Sequence, residues 1–453
     1  MSWEFRRNLW IQLTPHRLIA TPLVLGLLFL ASIQASVLPI APETLFWLFA
    51  GFWGTRRAAD SIMEEVIGAT WQSQRMAAIG AWSMTWGKLF GATAFAWYGA
   101  ALSWIAFAAT IALDVHTRPW MRLPSPGELL SMLVFALLAQ SVSMLVALIQ
   151  MRRRRRGRQF ALGLAQIAGL STFVPFFFVT NTFEPIRRST IWWYGFPYPT
   201  QAFLLFAATA FFAWALLAVH QLMRAELQYR DATWRLPLFA LFLMGFITGF
   251  IPRPYLLPFP SAVALAANGV AMLSLFYVTL LAAPGEPIAL LRWARALRQG
   301  SWRLVGELMP PWLPVGVITL AVGLMALRES IAIDLWVQSL GPQSITIGRH
   351  VTSWIAALMV FAARDALVVV LFAVGRRPER ADINAVIALA ILHGVVPVVL
   401  TAFGFAAQAG LTAPLPGVSS PLTVAAAALQ TAALGLALAW RFARLRPAPS
   451  TAG

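Results

Sequence analysis

Cysteine is absent from the 453 residues, which removes both a disulfide framework and a thiolate metal site. Charge is scarce as well: 11% of residues are Asp, Glu, Lys or Arg, against about 25% in an ordinary soluble domain. Only 17 of these are acids, and a single lysine, Lys88, stands against 33 arginines. No His, Asp or Glu cluster has the spacing of a metal site. The apolar runs show no period-2 alternation, which excludes a membrane barrel. A phosphate-binding loop is missing too: the one Gly-Lys pair, Gly87-Lys88, is followed by Leu89 and has Trp82 where the loop needs its first glycine. The chain is therefore not expected to hydrolyse ATP, and it is not read as an enzyme.

What fills the sequence is hydrocarbon. Hydrophobic residues make up 59% of the chain and its mean hydropathy is +0.72, the composition of an integral membrane protein. Lipid offers no partner for open backbone groups, so the spans are helices. A crossing takes about 20 apolar residues. Six such runs lie at 18–36, 38–55, 88–113, 129–150, 160–180 and 200–222. Six more lie at 236–251, 261–283, 311–327, 351–373, 384–407 and 421–440. The expected fold is all-α and polytopic, with about 12 transmembrane helices in two tandem six-helix bundles.

Cations set the orientation, because cytoplasmic loops retain Lys and Arg. With both termini placed in the cytoplasm, 26 of the 34 fall inside, seven fall outside, and Arg364 lies within a span. The second run, with Pro39, Pro42 and Glu43, decides every later loop, and the charge split argues that it crosses. The net charge of +17 is spread over loops and termini, so it reads as a topology determinant and no nucleic-acid partner is expected. The dense run Arg152–Arg156 with Arg158 fits anionic head groups of the inner leaflet. The Arg bias points to a GC-rich bacterial genome and a plasma (inner) membrane.

The domain plan follows. Residues 1–17 form an amphipathic interfacial helix, and 18–222 the first bundle, with a cytoplasmic segment at 56–88. A connector at 223–235 leads to the second bundle, 236–440, whose cytoplasmic segment is 284–310. Residues 441–453 are a tail. In the first cytoplasmic segment Ile62, Met63, Val66, Ile67 and Trp71 form an apolar stripe on a helix, Asp60, Glu64 and Glu65 take another face, and Gly68 and Gly80 offer breaks. The two halves also echo each other: Arg75, Gly80 and Trp82 recur 220 residues later as Arg295, Gly300 and Trp302, at the same place in each half.

The run Glu65-Val-Ile-Gly68-Ala-Thr70-Trp71-Gln-Ser-Gln74-Arg75, followed by Trp86-Gly87-Lys88-Leu89, resembles the coupling segment of type-2 ABC exporter permeases. The amphipathic N-terminal helix and the aromatic, proline-bearing loop at 181–200 agree with that family. Two departures stand out: Ala69 separates Gly68 from Thr70, and Pro284-Gly285-Glu286 replaces the acid, Gly, Thr pattern in the second half. The resemblance implies two fused six-span units moving a hydrophobic or amphipathic cargo. It implies a separate cytoplasmic ABC ATPase subunit, in two copies, which holds the ATP and Mg; no cofactor belongs to this chain. Glu64, Glu65, Gly68, Thr70, Trp71, Gln74, Arg75, Arg295, Gly300 and Trp302 are the residues expected to couple to it.

Polar side chains inside spans are the other pointers, since a mid-bilayer charge costs about 2.5–3.5 kcal/mol on insertion scales. They are Gln34, Gln140, Gln166, Asn268, Arg364, Asp365 and His393, of which Gln140, Asn268, Arg364, Asp365 and His393 are the site candidates. Adjacent residues diverge by about 100° on a helix, so Arg364 and Asp365 are not expected to pair as i, i+4 partners do. That leaves a cavity, a partner on another helix, or an earlier helix end. His393 is expected to be a hydrogen-bonded packing residue. A twelve-span secondary transporter is the runner-up, although the second loop lacks the Gly-x-x-x-Asp-Arg pattern of the major-facilitator type. A polytopic membrane transferase is the third reading; it would lean on Asp114 with His116, or Glu329 with Asp334.

Overall fold

The computed structural model describes residues 3–34, 40–68, 71, 73, 76, 79–114, 126–152, 158–181, 190–229, 234–251, 260–282, 287–339, 351–375, 381–415 and 418–444. These residues are helical almost throughout, and the chain divides into two compact units. The first comprises residues 1–191 and 197–231, the second 192–196 and 232–453.

The first unit opens with α1 (Trp3–Gln12) and α2 (Pro15–Gln34). The second expected span is α3 (Ile40–Phe46), a π-helical segment (Trp47–Trp53) and α4 (Gly54–Ile67). Gly68 closes α4, donating to the Glu64 carbonyl at 2.8 Å. Gly80, in extended conformation, then opens α5 (Ala81–Trp86). A second π segment, Gly87–Gly91, leads into α6 (Ala94–Asp114). The unit is completed by α7 (Pro126–Arg152), α8 (Arg158–Asn181) and α9 (Thr200–Glu226).

Strands β1 (Thr190–Trp193) and β2 (Phe196–Pro199) form a two-stranded hairpin. Its two connecting residues, Tyr194 and Gly195, both have positive φ, of 51° and 76°, as a right-twisted hairpin demands. In the second unit the Trp193 indole donates to the Phe246 carbonyl at 3.0 Å and the Tyr194 hydroxyl to the Gly245 carbonyl at 2.6 Å.

The second unit runs from α10 (Arg235–Thr248) and α11 (Pro260–Ala282) to the short pair α12 (Pro287–Arg298) and α13 (Trp302–Leu308). Long helices α14 (Trp312–Ser339) and α15 (Val351–Ala373) follow. Next come α16 (Ala381–Ala390), a third π segment (Ile391–Val395) and α17 (Val396–Ala402). A four-residue turn of helix, α18 (Ala406–Ala409), precedes α19 (Pro421–Arg444).

Among the described residues eight helices are long and apolar enough to cross a bilayer. They coincide with eight of the twelve expected runs: the first, fourth, sixth, eighth, ninth, tenth, eleventh and twelfth. The third run becomes a broken helix, 81–91 and 94–109, bent by 49°. The second run is divided by its π segment and continues into the charged α4. The fifth and seventh contribute shorter apolar stretches, Leu162–Phe173 and Arg235–Thr248. This is a polytopic, all-α membrane protein.

Packing rests on small residues and on side chains that answer backbone carbonyls. Ala58, Ala59, Ala147 and Ala165 are buried among Ile62, Met144, Leu148 and Leu162, so α4, α7 and α8 approach closely. A π segment bonds i to i+5 and disturbs the regular ladder. Around the first of them three neighbouring side chains reach carbonyls: Gln140 Nε2 donates to Ala50 at 2.8 Å, Gln166 Nε2 to Phe52 at 3.1 Å and Ser143 Oγ to Thr55 at 2.8 Å. Gln140 also accepts from the Trp97 indole at 3.0 Å. Gly169 marks the tightest contact of α8, where a Cβ would sit 2.6 Å from the Ala139 carbonyl oxygen and 3.0 Å from Ser143 Cβ. At Gly163, on the same helix, a Cβ would meet nothing within 4 Å. Gly169→Ala is expected to destabilise the purified chain by about 1–3 kcal/mol while Gly163→Ala leaves it unchanged or slightly more stable. Thermal unfolding of the two variants in one detergent separates them.

Candidate functional site

Four charged residues of the first unit, Glu4, Arg7, Glu65 and Lys88, converge where α1 lies against the first limb of the broken third helix. Glycines at 87 and 91 make the approach possible. A Cβ at Gly87 would stand 2.7 Å from Glu4 Cγ and 3.1 Å from the Phe5 nitrogen, and one at Gly91 would stand 2.9 Å from Asn8 Cβ. Lys88, between them, is fully buried. Its ammonium forms an ion pair with Glu65, lies 3.5 Å from Glu4 Oε1, and donates to the Ser61 carbonyl at 3.3 Å. The Trp71 ring covers it at 5.4 Å. Arg7 donates from Nη2 to Glu4 Oε1 at 2.9 Å and to Glu65 Oε1 at 2.6 Å. Asn8 bonds Glu4 Oε1 at 3.2 Å and the Gly87 carbonyl at 3.3 Å. Two cations thus share two carboxylates, and the three chain segments that supply them are joined in one buried cluster.

This geometry sorts the expected coupling residues. Glu65 and Trp71 face inward and hold the cluster. Glu64 is exposed and paired with Arg57 at 3.2 Å, and Gly68 is exposed beside it. Thr70, Gln74 and Arg75 lie outside the described residues. The stripe is only partly a core face: Ile62, Met63 and Trp71 are buried, Ile67 is 58% exposed, and the side chain of Val66 is outside the described set. Asp60, read on the face away from the apolar stripe, is buried, with Arg56 and Arg57 at 3.5 and 3.8 Å.

In the second unit Gly300, with φ +66°, ends α12 in a Schellman turn. Ser301 N–H donates to Ala296 O at 3.0 Å and Gly300 N–H to Leu297 O at 3.2 Å. The turn presents Arg295 and Trp302 outward, Trp302 being 74% exposed.

The polar candidates inside spans divide similarly. Gln140 serves the π segment described above, and Asn268 donates to Thr248 Oγ1 at 2.8 Å. Arg364, Asp365 and His393 come together. Arg364 does pair with its neighbour, against the divergence argument, with Nε and Nη2 at 2.9 and 2.8 Å from Asp365 Oδ1. The Cβ atoms diverge, but the long side chain stacks on the Phe361 ring at 4.4 Å and folds back. Nor does the helix end early: α15 continues to Ala373, and partners come from other segments. Arg364 Nη1 donates to the Thr412 carbonyl and to Gln430 Oε1, both at 2.9 Å. The Tyr277 hydroxyl donates to Asp365 Oδ2 at 2.6 Å, and His393 Nε2 lies 2.7 Å from the same oxygen.

Glu4, Arg7, Asn8, Tyr277 and Gln430 were not singled out by sequence. The one usable signal was Lys88, a lone lysine opening an apolar run, which calls for an acid somewhere in the chain without saying which. The acid pairs of the transferase reading are not described in full: the side chains of Asp114 and Asp334, and all of His116, lie outside the described residues. Glu329 accepts from Ser261 Oγ at 3.0 Å. No group of three His, Asp or Glu side chains able to hold a metal occurs among the described residues.

No protein-family model matches the chain, and neither a curated protein nor a solved structure is detectably similar to it.

Removing one partner from a buried ion pair costs about 3–5 kcal/mol, whereas replacing both by apolar groups costs far less. Lys88→Met is therefore expected to loosen α1, raising amide exchange of residues 3–12 by at least about a hundredfold. Adding Glu65→Leu should recover much of that protection. Unchanged exchange in the single variant would show that the cluster does not hold α1.

Proposed function

We propose that the chain is the membrane-embedded permease of an ABC exporter, with two six-span units in one polypeptide. On this reading ATP, with Mg, is hydrolysed on two copies of a separate cytoplasmic ATPase subunit. Both termini, the segment at 56–88 and the segment at 284–310 then face the cytoplasm of a bacterial cell. The cargo is hydrophobic or amphipathic and is exported or flipped between leaflets.

The observation that carries this reading is the ion-pair cluster around Lys88. It ties the N-terminal helix, through Glu4 and Arg7, to both ends of the segment between the second and third spans, through Glu65 and Lys88. A push on the exposed part of that segment would move α1 and the third helix as one piece, which a coupling segment has to achieve. The outward Arg295 and Trp302 supply a second exposed turn at the matching place in the other half. Rigid displacement of packed helices belongs to the known repertoire of switching.

A secondary transporter of twelve spans is the alternative, and the charged cluster of Arg364, Asp365 and His393 favours it, since such groups mark ion paths in transporters.

The absence of cysteine makes topology easy to test. Single cysteines at Glu64 and Arg295 are expected to react with a membrane-impermeant maleimide from the cytoplasmic side alone; labelling from opposite sides ends the two-half arrangement. Purified from its host membrane, the chain is expected to carry an ATPase with a phosphate-binding loop. The combination Glu64→Arg, Arg295→Glu and Trp302→Ala should lower co-purifying ATP hydrolysis at least about tenfold, equivalent to about 1.4 kcal/mol of binding. Full transport activity with no ATPase attached would favour the alternative.

A further inference from the structure

One ring nitrogen in the second unit has more partners than it can serve. His393 Nε2 lies 2.9 Å from Arg364 Nη2, which has only hydrogens to give. It lies 2.7 Å from Asp365 Oδ2, which as a carboxylate oxygen can only receive. An imidazole nitrogen is either protonated, and then donates, or bare, and then accepts. Either form leaves one of the two contacts unmatched.

Everything else in the cluster is matched. Four of the five N–H groups of Arg364 go to Asp365 Oδ1, twice, to Thr412 O and to Gln430 Oε1. Gln430 is itself fixed by donating to Leu411 O at 2.9 Å. Asp365 Oδ2 accepts the Tyr277 hydroxyl. The titratable groups that meet here are Tyr277 from α11, Arg364 and Asp365 from α15, and His393 from the third π segment; α19 and the chain before it add the neutral Gln430 and two carbonyls. The one unsettled quantity is a proton on the imidazole. Access is also uneven: the side chains of Arg364 and Asp365 are sealed, while that of His393 is 29% exposed.

We propose that Asp365 and His393 form a proton-binding site within the second unit, filled through the uncovered edge of the imidazole and held in balance by Arg364. In the empty state His393 is neutral and donates its Nε2 hydrogen to Asp365 Oδ2, so the cluster carries no net charge. The incoming proton adds to Nδ1, and no bond between heavy atoms forms or breaks. The imidazolium then stands beside the guanidinium, two cations to one carboxylate. His393 sits on a π segment, and returning that segment to α-helical bonding would turn the residue by about 100°, away from Arg364. Proton uptake is thereby linked to the register of the helix from 381 to 402. The site concerns this cluster alone and stands whether or not an ATPase drives the chain.

The chain has five histidines, few enough for ring-nitrogen NMR. The full chain, labelled with [15N]histidine and held in lipid nanodiscs, gives the His393 signal by difference from His393→Gln. That signal is expected to pass from neutral imidazole to imidazolium in a single one-proton step as the pH is lowered. Asp365→Asn should lower the proton affinity at least about tenfold by removing the counter-charge. Tyr277→Phe should raise it about threefold by concentrating that charge on Oδ2. If Asp365→Asn fails to fold, seen as collapse of the other histidine signals, Tyr277→Phe decides the matter. A His393 signal that stays neutral throughout, or that titrates alike in the parent and in the folded variants, overturns the proposal.

Discussion

Hydrocarbon cannot hydrate an ion or an open carbonyl, and among the described residues each of the three π segments has polar protein groups beside it that stand in for the missing water. The first π segment has Gln140, Gln166 and Ser143 beside it, each donating to a carbonyl of that stretch or of the turn after it. The second carries Lys88, whose ammonium is enclosed by Glu65, Glu4 and the Ser61 carbonyl. The third carries His393, set against Asp365 and Arg364. Irregular backbone and polar side chains thus occur together. In the two charged clusters Arg7 and Arg364 each reach more than one acceptor, and Glu65 and Asp365 each meet more than one donor.

Much of this plan was legible in the sequence, and the reasons for the rest are specific. Apolar runs located eight long helices because length and composition act locally. They could not locate the bend at 91–94, since a break in an otherwise apolar run changes neither quantity. Gly68 and Gly80 were visible as breaks and stand at helix ends, whereas Gly300, visible only as part of the internal echo, also ends a helix. Glu65 was visible as an acid, but its direction was not, because a partner 58 positions earlier, Arg7, draws it inward. For Arg364 and Asp365 the helical-wheel argument compared Cβ directions and so missed a side chain long enough to return on its own neighbour. Tyr277 and Gln430 carry no sequence signal of charge, and distant parts of the chain bring them to the same cluster.

The two charged clusters differ in what they can transmit. Around Lys88 two cations and two carboxylates make four ion-pair contacts between α1, α4 and the second π segment, so the cluster acts as a rigid joint. Around Asp365 the hydrogen bonds are complete except at one nitrogen, so the cluster has a single degree of freedom. A joint and a hinge of this kind, one in each unit, are the parts that a machine with alternating states would need. Their placement depends on side chains spread through each unit and not on any contiguous motif.

A π turn holds one residue more than the α turn it interrupts. Each of the three segments is in effect an insertion accommodated without shifting the rest of its helix. Deleting a single residue from any of them would regularise the turn and leave both flanks facing their present neighbours, whereas returning to α-helical bonding at the present length would rotate one flank against the other by about 100°, presenting a different set of side chains to its neighbours. Residues 47–53, 87–91 and 391–395 are therefore the places where this chain can lose one residue without turning the helices on either side.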